Sequence, residues 1–338
     1  MADPLVVIDA DVLGRRRTGD ETYVDRLLHA LPAAGEGLRF AAITRRPDLV
    51  PPGIEPVELR GSIQELRMAV RLPLLLRRLR PALVHFVHAL PPALASPAVL
   101  TVQDLSFERD ASLMGRRETA IFRAVVPWSA RRARRVLAIS QRTKDDLVEL
   151  YGLPPEKVVV TPLAYDPAFQ VAQSHKVSNG FLLLVGAIEA RKDPLAAVAA
   201  AEAVGLPLVS VGPERDAALA AELRRRGVDV RGFVPKDELV ELYRNAACLV
   251  FPTRYEGFGL PVAEAMASGT PVVATPDAAV REVGGDAIVY AQPEEFAGAI
   301  RSALADRDRW VRAGLERARL FSWEETARKT VEVYREAL

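Results

Sequence analysis

Short apolar runs rich in β-branched residues alternate with longer segments of helical periodicity along the whole chain. This alternation is typical of parallel sheets in which helices connect the strands. In the first half of the chain it predicts strands at residues 5–8, 40–43, 56–59, 83–86, 99–102, 136–139 and 158–160. The main helices of that half are predicted at residues 23–30, 63–79, 116–134 and 143–150. A doubly wound α/β unit is therefore expected there.

The same alternation restarts in the second half. It predicts strands at residues 181–186, 208–211, 230–232, 249–251, 272–274 and 288–290. Residues 165–180 carry no sustained apolar period and are interpreted as a linker, with a domain boundary near residue 170. Ser322 and Glu325 have the spacing of a capping box, which predicts a final helix ending near Ala337. The pattern thus predicts two doubly wound units.

Length and composition agree with this division. The chain has 338 residues, more than the roughly 250 to 300 at which one hydrophobic core usually stops growing. Hydrophobic residues make up 49% and charged residues 26%, which is the profile of a soluble globular enzyme. The net charge of +1 gives no reason to expect bulk attraction to nucleic acid or to a membrane.

Two further features concern location and reactivity. No apolar run approaches the ~18 residues of a membrane span, and the first residues lack the basic start of a signal peptide. A cytoplasmic protein is therefore expected. Cys248 is the only cysteine and lies within an apolar run, so it is predicted to be a buried small hydrophobe and not a nucleophile.

The most informative segment runs from Phe251 to Ala274. A strand is predicted to end near Phe251, and Pro261 is expected at the first position of the following helix. Gly257 and Gly259 precede that helix and let the backbone approach a ligand closely. The free N–H groups of a first helical turn and the helix dipole favour an anion such as a diphosphate. The segment is therefore predicted to bind an anionic ligand.

Two glutamates flank this glycine-containing loop. Glu256 precedes the loop, and Glu264 lies one turn into the predicted helix. A carboxylate accepts paired hydrogen bonds from vicinal hydroxyls, so the two side chains could bind polyols on either side of a diphosphate. A nucleotide sugar has that layout of sugar, diphosphate and ribose. The alternative is a tight turn with two solvated glutamates.

The ordered sequence from Glu256 to Glu264, followed by Ser-Gly-Thr-Pro-Val-Val-Ala, resembles the E-x7-E signature of retaining glycosyltransferases of family 4. In that family the first glutamate contacts the donor sugar and the second contacts the nucleotide ribose. The resemblance implies that Glu256 orients the sugar in catalysis and that Glu264 binds the ribose. It also assigns donor binding to the residues that follow Glu256, namely Gly257, Phe258, Gly259 and Leu260.

A second segment of the same half carries adjacent cations. After a strand that ends at Gly186, Arg191 and Lys192 precede Asp193, a candidate N-cap. Two cations on a loop after a strand can neutralise a departing diphosphate, whereas the alternative is an exposed, solvated pair. The segment is similar to the family's G-x-x-x-x-R-K motif, which implies donor contact for Gly186 and catalytic roles for both cations. A later loop resembles the one that holds the nucleotide base, which makes Val234 a donor-binding candidate.

The first half carries a loop similar to the family's T-G-x-G-x-Y segment. Residues 15–23 read Arg-Arg-Arg-Thr-Gly-Asp-Glu-Thr-Tyr, with Glu21 where a second glycine is common. Gly19 is therefore a candidate for contact with the donor phosphate. Asp9 and Asp11 could be read as a D-x-D metal site, but two carboxylates that close the first strand of the chain make a sparse site. No metal and no other cofactor is predicted.

Residues 101–106 match the family's T-x-H-D motif except that Gln103 replaces the histidine. Glutamine can hydrogen-bond a sugar hydroxyl but cannot titrate, which excludes proton transfer at this position. Gln103 is thus a catalytic candidate through polar contact alone, and Asp104 is an acceptor-side candidate. His88, which we place with His85 after a predicted strand, is a further candidate for acceptor contact. The alternative is a satisfied loop histidine.

Basic residues outnumber acidic ones between Arg60 and Arg135. An amphipathic basic surface can dock on anionic lipid or on a phosphorylated acceptor, whereas the alternative is arginine in place of lysine on ordinary helices. Nucleic-acid binding is not expected, because no stacking aromatic residues interleave these arginines. Peripheral contact of this segment with an anionic membrane is therefore a prediction.

The resemblance covers most of the chain and implies the GT-B fold, in which two Rossmann-like domains face each other across a cleft. Residues 1–168 with a returning helix at 322–338 are expected to form the acceptor-side domain, and residues 169–321 the nucleotide-sugar-binding domain. The implied reaction is a retaining, metal-independent transfer of a hexose from a nucleoside diphosphate sugar, in which the donor phosphate itself takes the acceptor proton.

The acceptor is expected to be a hydroxyl group of a glycan, a lipid-linked molecule or a small molecule. The family analogy favours GDP-mannose over UDP-sugars as donor. Two alternatives stay open. One is a nucleotide-sugar epimerase or hydrolase on the same fold, and the other is a catalytically weak nucleotide-sugar-binding scaffold, suggested by Gln103 and Glu21.

Overall fold

The computed structural model describes residues 3–15, 18–61, 67–109, 116–171 and 180–338. Its contacts divide the chain into two units, Met1–Leu163 with Ser322–Leu338, and Ala164–Phe321. The second unit therefore begins a few residues before the predicted boundary at residue 169. Residues 165–171 of the predicted linker belong to the second unit, because the buried Phe169 packs its ring on that of Tyr243 at 5.5 Å. The linker interpretation is wrong for these residues, and residues 172–179 lie outside the described part.

The first unit contains a seven-stranded sheet in which all neighbouring strands are parallel. Its strands are β1 (Leu5–Asp9), β2 (Arg39–Thr44), β3 (Glu55–Glu58), β4 (Leu83–Val87), β5 (Ala98–Val102), β6 (Arg135–Ala138) and β7 (Val158–Val160). They are ordered β3-β2-β1-β4-β5-β6-β7. All seven predicted strands are present. Every residue of the interior strand β5 is buried, as expected for a parallel sheet covered by helices.

The helices of this unit are α1 (Thr18–Ala34), α2 (Leu72–Leu79), α3 (Ser106–Arg109), α4 (Arg116–Arg132) and α5 (Gln141–Tyr151). The helix predicted at residues 63–79 is not one regular helix. Arg67–Arg71 form a wider π-helical turn, α2 begins only at Leu72, and residues 62–66 lie outside the described part. Pro73 accounts for the break, because it has no N–H to donate to the carbonyl four residues earlier.

The second unit contains a six-stranded parallel sheet ordered β10-β9-β8-β11-β12-β13. Its strands are β8 (Leu182–Val185), β9 (Leu208–Val211), β10 (Asp229–Gly232), β11 (Cys248–Phe251), β12 (Val272–Ala274) and β13 (Val289–Tyr290), and all six were predicted. Its helices are α6 (Pro194–Val204), α7 (Ala217–Arg225), α8 (Lys236–Asn245), α9 (Leu260–Ala267), α10 (Ala278–Gly284), α11 (Phe296–Ala305) and α12 (Arg307–Ala318).

The strand order of the second sheet reverses between β8 and β11. The chain passes from β8 outward to β9 and β10 and then returns to the other side of β8 as β11. The loops that leave the carboxyl ends of β8 and β11 consequently diverge, which opens a crevice at a topological switch point. Ligands of doubly wound sheets bind at such points, so the loops after β8 and β11 are the place to search for a site.

Two glycines bring the strand ends beside this crevice into close contact. Gly186 follows β8, and Gly212 follows β9 with a φ of +144°. A Cβ atom on Gly212 would lie 2.0 Å from the carbonyl oxygen of Gly186, a distance that no side chain tolerates. The backbone path at this edge of the sheet therefore requires glycine at position 212.

The final helix α13 (Trp323–Ala337) belongs to the first unit, where it packs against α1. The hydroxyl of Ser322 accepts a hydrogen bond from the backbone N–H of Glu325 at 3.2 Å, as the capping box predicts. The Glu325 carboxylate instead pairs with Arg328 at 2.6 Å. None of the helices in the described ranges combines the length and the apolar character that crossing a membrane requires.

Candidate active site

The loops after β8 and β11 meet through a buried ion pair. Lys192 ends a 3-10 turn after β8, and Glu256 lies in the loop after β11. The Lys192 Nζ atom donates a hydrogen bond to Glu256 Oε1, and the two side chains are only 12% and 9% exposed. The Thr253 hydroxyl donates to the same carboxylate oxygen at 2.8 Å. The fold thus brings together Lys192 and Glu256, two of the predicted catalytic residues.

The two members of this pair favour each other's charged form. Burial alone would raise the pKa of Glu256, but Lys192 and Arg191 outweigh it, so the pKa of this carboxyl lies below its ordinary value. Burial lowers the pKa of Lys192, and the neighbouring Glu256 opposes that change. The Lys192 ammonium also lies 5.2 Å from the centre of the Phe251 ring, a cation–π contact.

Arg191 is held by neighbours that leave its guanidinium beside the same carboxylate. Its Nη1 donates to the carbonyl oxygen of Tyr255 at 2.7 Å and lies 3.7 Å from Glu256 Oε1. Its Nε and Nη2 donate to Glu189 Oε1 at 3.1 and 2.9 Å. The other oxygen of Glu189 accepts from Arg215 at 3.2 Å. Glu189, Thr253 and Arg215 were missed by the sequence analysis, although an acidic residue two positions before a cation pair is a signal for Glu189.

The loop after β11 leads directly into helix α9. Gly259 is the N-cap, with a φ of +101° that favours glycine, and α9 begins at Leu260. Pro261 is consequently the second residue of the helix, whereas the sequence pattern predicts it at the first position. Among the described residues, no protein acceptor binds the backbone N–H of Gly259 or of Leu260. The helix N-terminus that follows the Glu256 loop thus keeps two N–H donors available for an anion.

Glu264 lies one turn further along α9 and is half-buried. Its Oε2 accepts a hydrogen bond from the Tyr243 hydroxyl of α8 at 2.8 Å. Burial raises the pKa of Glu264 to about 7, and the hydrogen bond from Tyr243 works against that rise. The two glutamates of the motif thus differ, because Glu256 is firmly ionised and Glu264 is poised near neutral pH.

Two family models match the chain. A family model described as Glycosyltransferase Family 4 matches residues 17–169, and one described as Glycosyl transferases group 1 matches residues 176–306. Together the two matches cover most of the chain. The chain belongs to glycosyltransferase family 4. The resemblance inferred from the E-x7-E segment is confirmed, and so is the expected GT-B fold class of two parallel-sheet domains.

Two curated relatives and one solved structure illustrate the relationship. Over 234 residues the chain is 31% identical to O-antigen chain mannosyltransferase B of Escherichia coli, which covers 60% of this chain and 61% of that protein. Over 140 residues it is 41% identical to a D-inositol 3-phosphate glycosyltransferase of a Nocardioides species, covering 37% of this chain and 31% of that protein. The chain thus spans less than two thirds of the length of either relative. The structure of sucrose-phosphate synthase from Thermosynechococcus elongatus matches with a TM-score of 0.79 at 19% identity, over 98% of both chains.

The remaining donor-side candidates of this family 4 chain lie in loops that follow β8, β10 and β11. A Cβ atom on Gly186 would be 3.5 Å from the Lys192 side chain, so Gly186 adjoins the cation. Gly257 and Phe258 are buried in the loop before α9, and Val234 is buried after β10. Asp193 is the N-cap of α6, but its carboxylate pairs with Arg254 at 2.9 Å and does not cap the helix.

In the first unit the structure brings two family 4 candidates together. Gln103 follows β5 and is 7% exposed, and a Cβ atom on Gly19 of α1 would lie 3.5 Å from its side-chain oxygen. Among the described residues, the Gln103 Nε2 atom is buried without a hydrogen-bond partner. Glu21, the departure from the family pattern, accepts a hydrogen bond from the backbone N–H of Gly14 at 2.7 Å. The predicted loop residues Arg16 and Arg17 lie outside the described part.

The acceptor-side candidates have local partners. His88 follows β4 with a φ of +63°, and its Nε2 lies 3.4 Å from Asp20 Oδ1. The Asp104 carboxylate accepts from the backbone N–H of Ser106 at 3.0 Å, just before α3. Both positions lie near the carboxyl ends of strands, and acceptor contact for both stays a prediction.

The placement of His85 after a strand is wrong. His85 is the third residue of β4, inside the strand predicted at residues 83–86, and it is fully buried. Its Nδ1 and Nε2 lie 2.6 Å from the Tyr334 hydroxyl and 2.7 Å from the Thr101 hydroxyl. Burial lowers its pKa to about 3, so it is a neutral structural residue.

The carboxylate of Asp11, the second aspartate of the D-x-D segment, binds arginine side chains. Asp11 pairs with three arginines, namely Arg15, Arg45 at 2.7 Å and Arg67 at 2.7 Å. Its oxygens are therefore occupied by guanidinium groups. In the described ranges no cluster of three or more His, Cys, Asp or Glu side chains could hold a metal ion.

Two further predictions have different outcomes. Cys248 is completely buried and burial raises its pKa to about 12, which confirms that it is an unreactive core residue. Within the basic segment, Arg77 and Arg78 are exposed on α2, whereas Arg109 pairs with Asp146 at 2.5 Å. Peripheral membrane contact through this segment stays a prediction.

Proposed function

We propose that the protein transfers a hexose from a nucleoside diphosphate sugar to an acceptor hydroxyl, with retention of configuration at the anomeric carbon. The observation that carries this proposal is the cluster of Lys192, Arg191 and Glu256, whose second loop leads into the helix N-terminus at which the N–H groups of Gly259 and Leu260 have no acceptor among the described residues. Cations and oriented amides suit a diphosphate, and the adjoining carboxylate suits sugar hydroxyls.

Each of these residues has a role in the proposed reaction. The bond between the anomeric carbon and the diphosphate oxygen breaks, and negative charge grows on the departing nucleoside diphosphate. The Lys192 ammonium, the Arg191 guanidinium and the helix N–H groups stabilise that charge in a partly buried site. The acceptor oxygen bonds to the same face of the anomeric carbon, and its proton passes to a phosphate oxygen of the leaving group.

Glu256 is proposed to orient the sugar. It is ionised and held by Lys192 and Thr253, so its remaining hydrogen-bonding capacity is available for sugar hydroxyls. Gln103 is proposed to contribute a polar contact, because its buried side-chain N–H groups can donate to a hydroxyl oxygen.

The donor is proposed to be GDP-mannose, and no metal ion is proposed to take part. The relative from Escherichia coli is named a mannosyltransferase, which supports mannose as the transferred sugar. Two side-chain cations adjoin the proposed diphosphate position and supply the positive charge that a metal would otherwise provide. Activity is therefore expected to persist in excess EDTA and to be no greater with added Mg²⁺ or Mn²⁺.

The test begins with a thermal-shift screen of GDP-, UDP-, ADP- and dTDP-sugars. The stabilising donor is then incubated with the protein, with and without a panel of glycan, lipid-linked and small-molecule acceptors. We expect a new α-linked product and release of nucleoside diphosphate only when acceptor is present, with the anomeric configuration read by NMR. Epimerised or hydrolysed donor without acceptor, or binding without turnover on any acceptor, would replace the proposal with one of the alternatives.

A further inference from the structure

Tyr243 lies outside every motif of the sequence analysis, yet it contacts the second glutamate of the family signature. It is completely buried on α8, and its hydroxyl donates to Glu264 Oε2 at 2.8 Å. The ring packs edge to face on Phe169 at 5.5 Å, and the backbone carbonyl accepts from the Thr270 hydroxyl at 2.5 Å. Tyr243 is thus fixed by contacts to its hydroxyl, its ring and its backbone.

The hydrogen bond from Tyr243 makes the two oxygens of the Glu264 carboxylate different. Among the described residues, only Oε2 of Glu264 accepts a hydrogen bond from the protein, and Oε1 accepts none. The side chain is half-buried, so Oε1 remains open to a ligand. An ionised carboxylate accepts from hydroxyl donors, whereas a protonated one loses part of that capacity.

We propose that Tyr243 is a positioning residue for donor binding, which anchors Oε2 of Glu264 and keeps the carboxylate ionised so that Oε1 can accept from a ribose hydroxyl. This inference rests on the proposed function and on the ribose contact that the family resemblance implies for Glu264. Tyr243 itself touches no substrate, because Glu264 stands between them.

Because of the groups around Glu264, the hydrogen bond from Tyr243 affects how much of this carboxyl is ionised near neutral pH. Burial raises the pKa of Glu264 to about 7, the hydrogen bond from Tyr243 lowers it, Asp166 raises it and Lys236 lowers it. Asp166 and Lys236 pair with each other at 2.6 Å, so their opposite effects partly cancel. The Tyr243 hydroxyl stays protonated, because burial raises its pKa well above the ordinary value. Loss of the Tyr243 hydroxyl therefore shifts Glu264 toward its protonated form.

The experiment compares wild type with Tyr243→Phe in calorimetric binding of a nucleoside diphosphate between pH 6 and pH 9. If the substitution raises the pKa of Glu264 by about one unit, the dissociation constant rises about fivefold at pH 7 and is nearly unchanged at pH 9. The ligand's own phosphate, with a second pKa near ~6, titrates equally in both measurements and cancels in the ratio. A ratio that grows as the pH falls is the expected result.

Two further variants separate the possible outcomes. Tyr151→Phe removes a matched tyrosine-to-glutamate hydrogen bond, that of Tyr151 to Glu108 at 3.1 Å in the first unit, and should leave binding unchanged at every pH. Lys236→Gln removes a half-exposed cation that lowers the same pKa. It should give a smaller effect of the same sign, which keeps the test valid if Tyr243→Phe does not fold.

The outcome that overturns the inference differs from the one that overturns the proposed function. A Tyr243→Phe dissociation constant that is raised equally at all pH values, or not raised at all, assigns Tyr243 a purely structural role. Glu264→Gln removes the titration and should bind weakly at every pH. If Glu264→Gln binds as tightly as wild type, the ribose role of Glu264 fails, whatever Tyr243 does.

Discussion

At the scale of single residues, the site is built from side chains that satisfy one another before any donor arrives. The largely buried charges of Lys192 and Glu256 neutralise each other, and Glu189 forms an ion pair with Arg191. Gln103 is the contrast, because its buried Nε2 has no partner in the described part of the chain. Paired charges hold their side chains in place. A buried donor without an acceptor lowers the free energy of unfolding, and a ligand that accepts its hydrogen bond removes that loss.

Lys192→Met should remove both activity and stability. The substitution leaves the Glu256 carboxylate buried without its ammonium, which costs about 3 kcal/mol of unfolding free energy, measured by urea denaturation. Lys329→Met removes a lysine from a surface pair 3.7 Å long and should change stability by less than about 0.5 kcal/mol. Equal stability of the two variants would contradict a structural role for the buried pair.

Gln103→Leu should have opposite effects on stability and turnover. Removal of a buried amide without a partner should raise the unfolding free energy by about 1 kcal/mol. Turnover should fall about fivefold, the value of one lost neutral hydrogen bond to the ligand. Steady-state rates on the donor from the screen and thermal melts of the same samples measure both effects. Unchanged turnover would remove Gln103 from the proposed reaction.

At the scale of elements, the strands were predictable and the side-chain partners were not. In the described ranges most strands follow from apolar runs, because a strand in a covered parallel sheet is apolar along its length, whereas the more exposed β3 and β10 carry charged residues. Helix ends were less certain, since the break before Pro73 and the one-residue shift at Pro261 depend on local backbone geometry. Glu189 and Tyr243 were missed because neither is a fixed position of a motif, although each contacts a motif residue, Arg191 and Glu264 respectively. The spacing of motif residues in the sequence predicts which loops form the site. The side chains that contact those motif residues are known only once the packing is known.

Gly212→Ala tests the close approach of the strand ends beside the site. The new Cβ atom would lie 2.0 Å from the Gly186 carbonyl oxygen, so the ends of β8 and β9 must separate. Gly227→Ala is the control, because it has a φ of +81° and nothing within 4 Å of the added atom. Urea denaturation should show a loss of about 1 kcal/mol for the control and at least about 3 kcal/mol for Gly212→Ala. Similar losses would mean that backbone strain alone, and not the contact, requires glycine.

At the scale of the whole molecule, a buried hydrogen-bond network joins the last helix to the first sheet. His85 of β4 contacts Tyr334 of α13 on one side and Thr101 of β5 on the other. Tyr23 of α1 contacts the same threonine hydroxyl at 2.8 Å. Residues from both ends of the sequence thus share one network, which makes the first unit discontinuous along the chain.

This network should make the first unit sensitive to acid. The pKa of His85 is about 3 in the folded protein, because of burial, and about 6.5 when unfolded. Between these values the unfolded chain binds a proton that the folded protein excludes, so stability falls as the pH drops below about 6.5. The loss between pH 7 and pH 5 should be about 2 kcal/mol smaller in His85→Gln, measured by urea unfolding at both values. An equal loss of unfolding free energy in both proteins would show that His85 does not cause the acid sensitivity.

The discontinuity of the first unit also governs the order of events on the ribosome. The second unit has all its residues once Phe321 has been synthesised, whereas the first must wait for Trp323–Ala337 although its strands are made earlier. Until then the face of α1 that receives the final helix stays uncovered in the nascent chain. The unit translated first is consequently the last to be completed, and its newly made apolar surface is the part most in need of a chaperone.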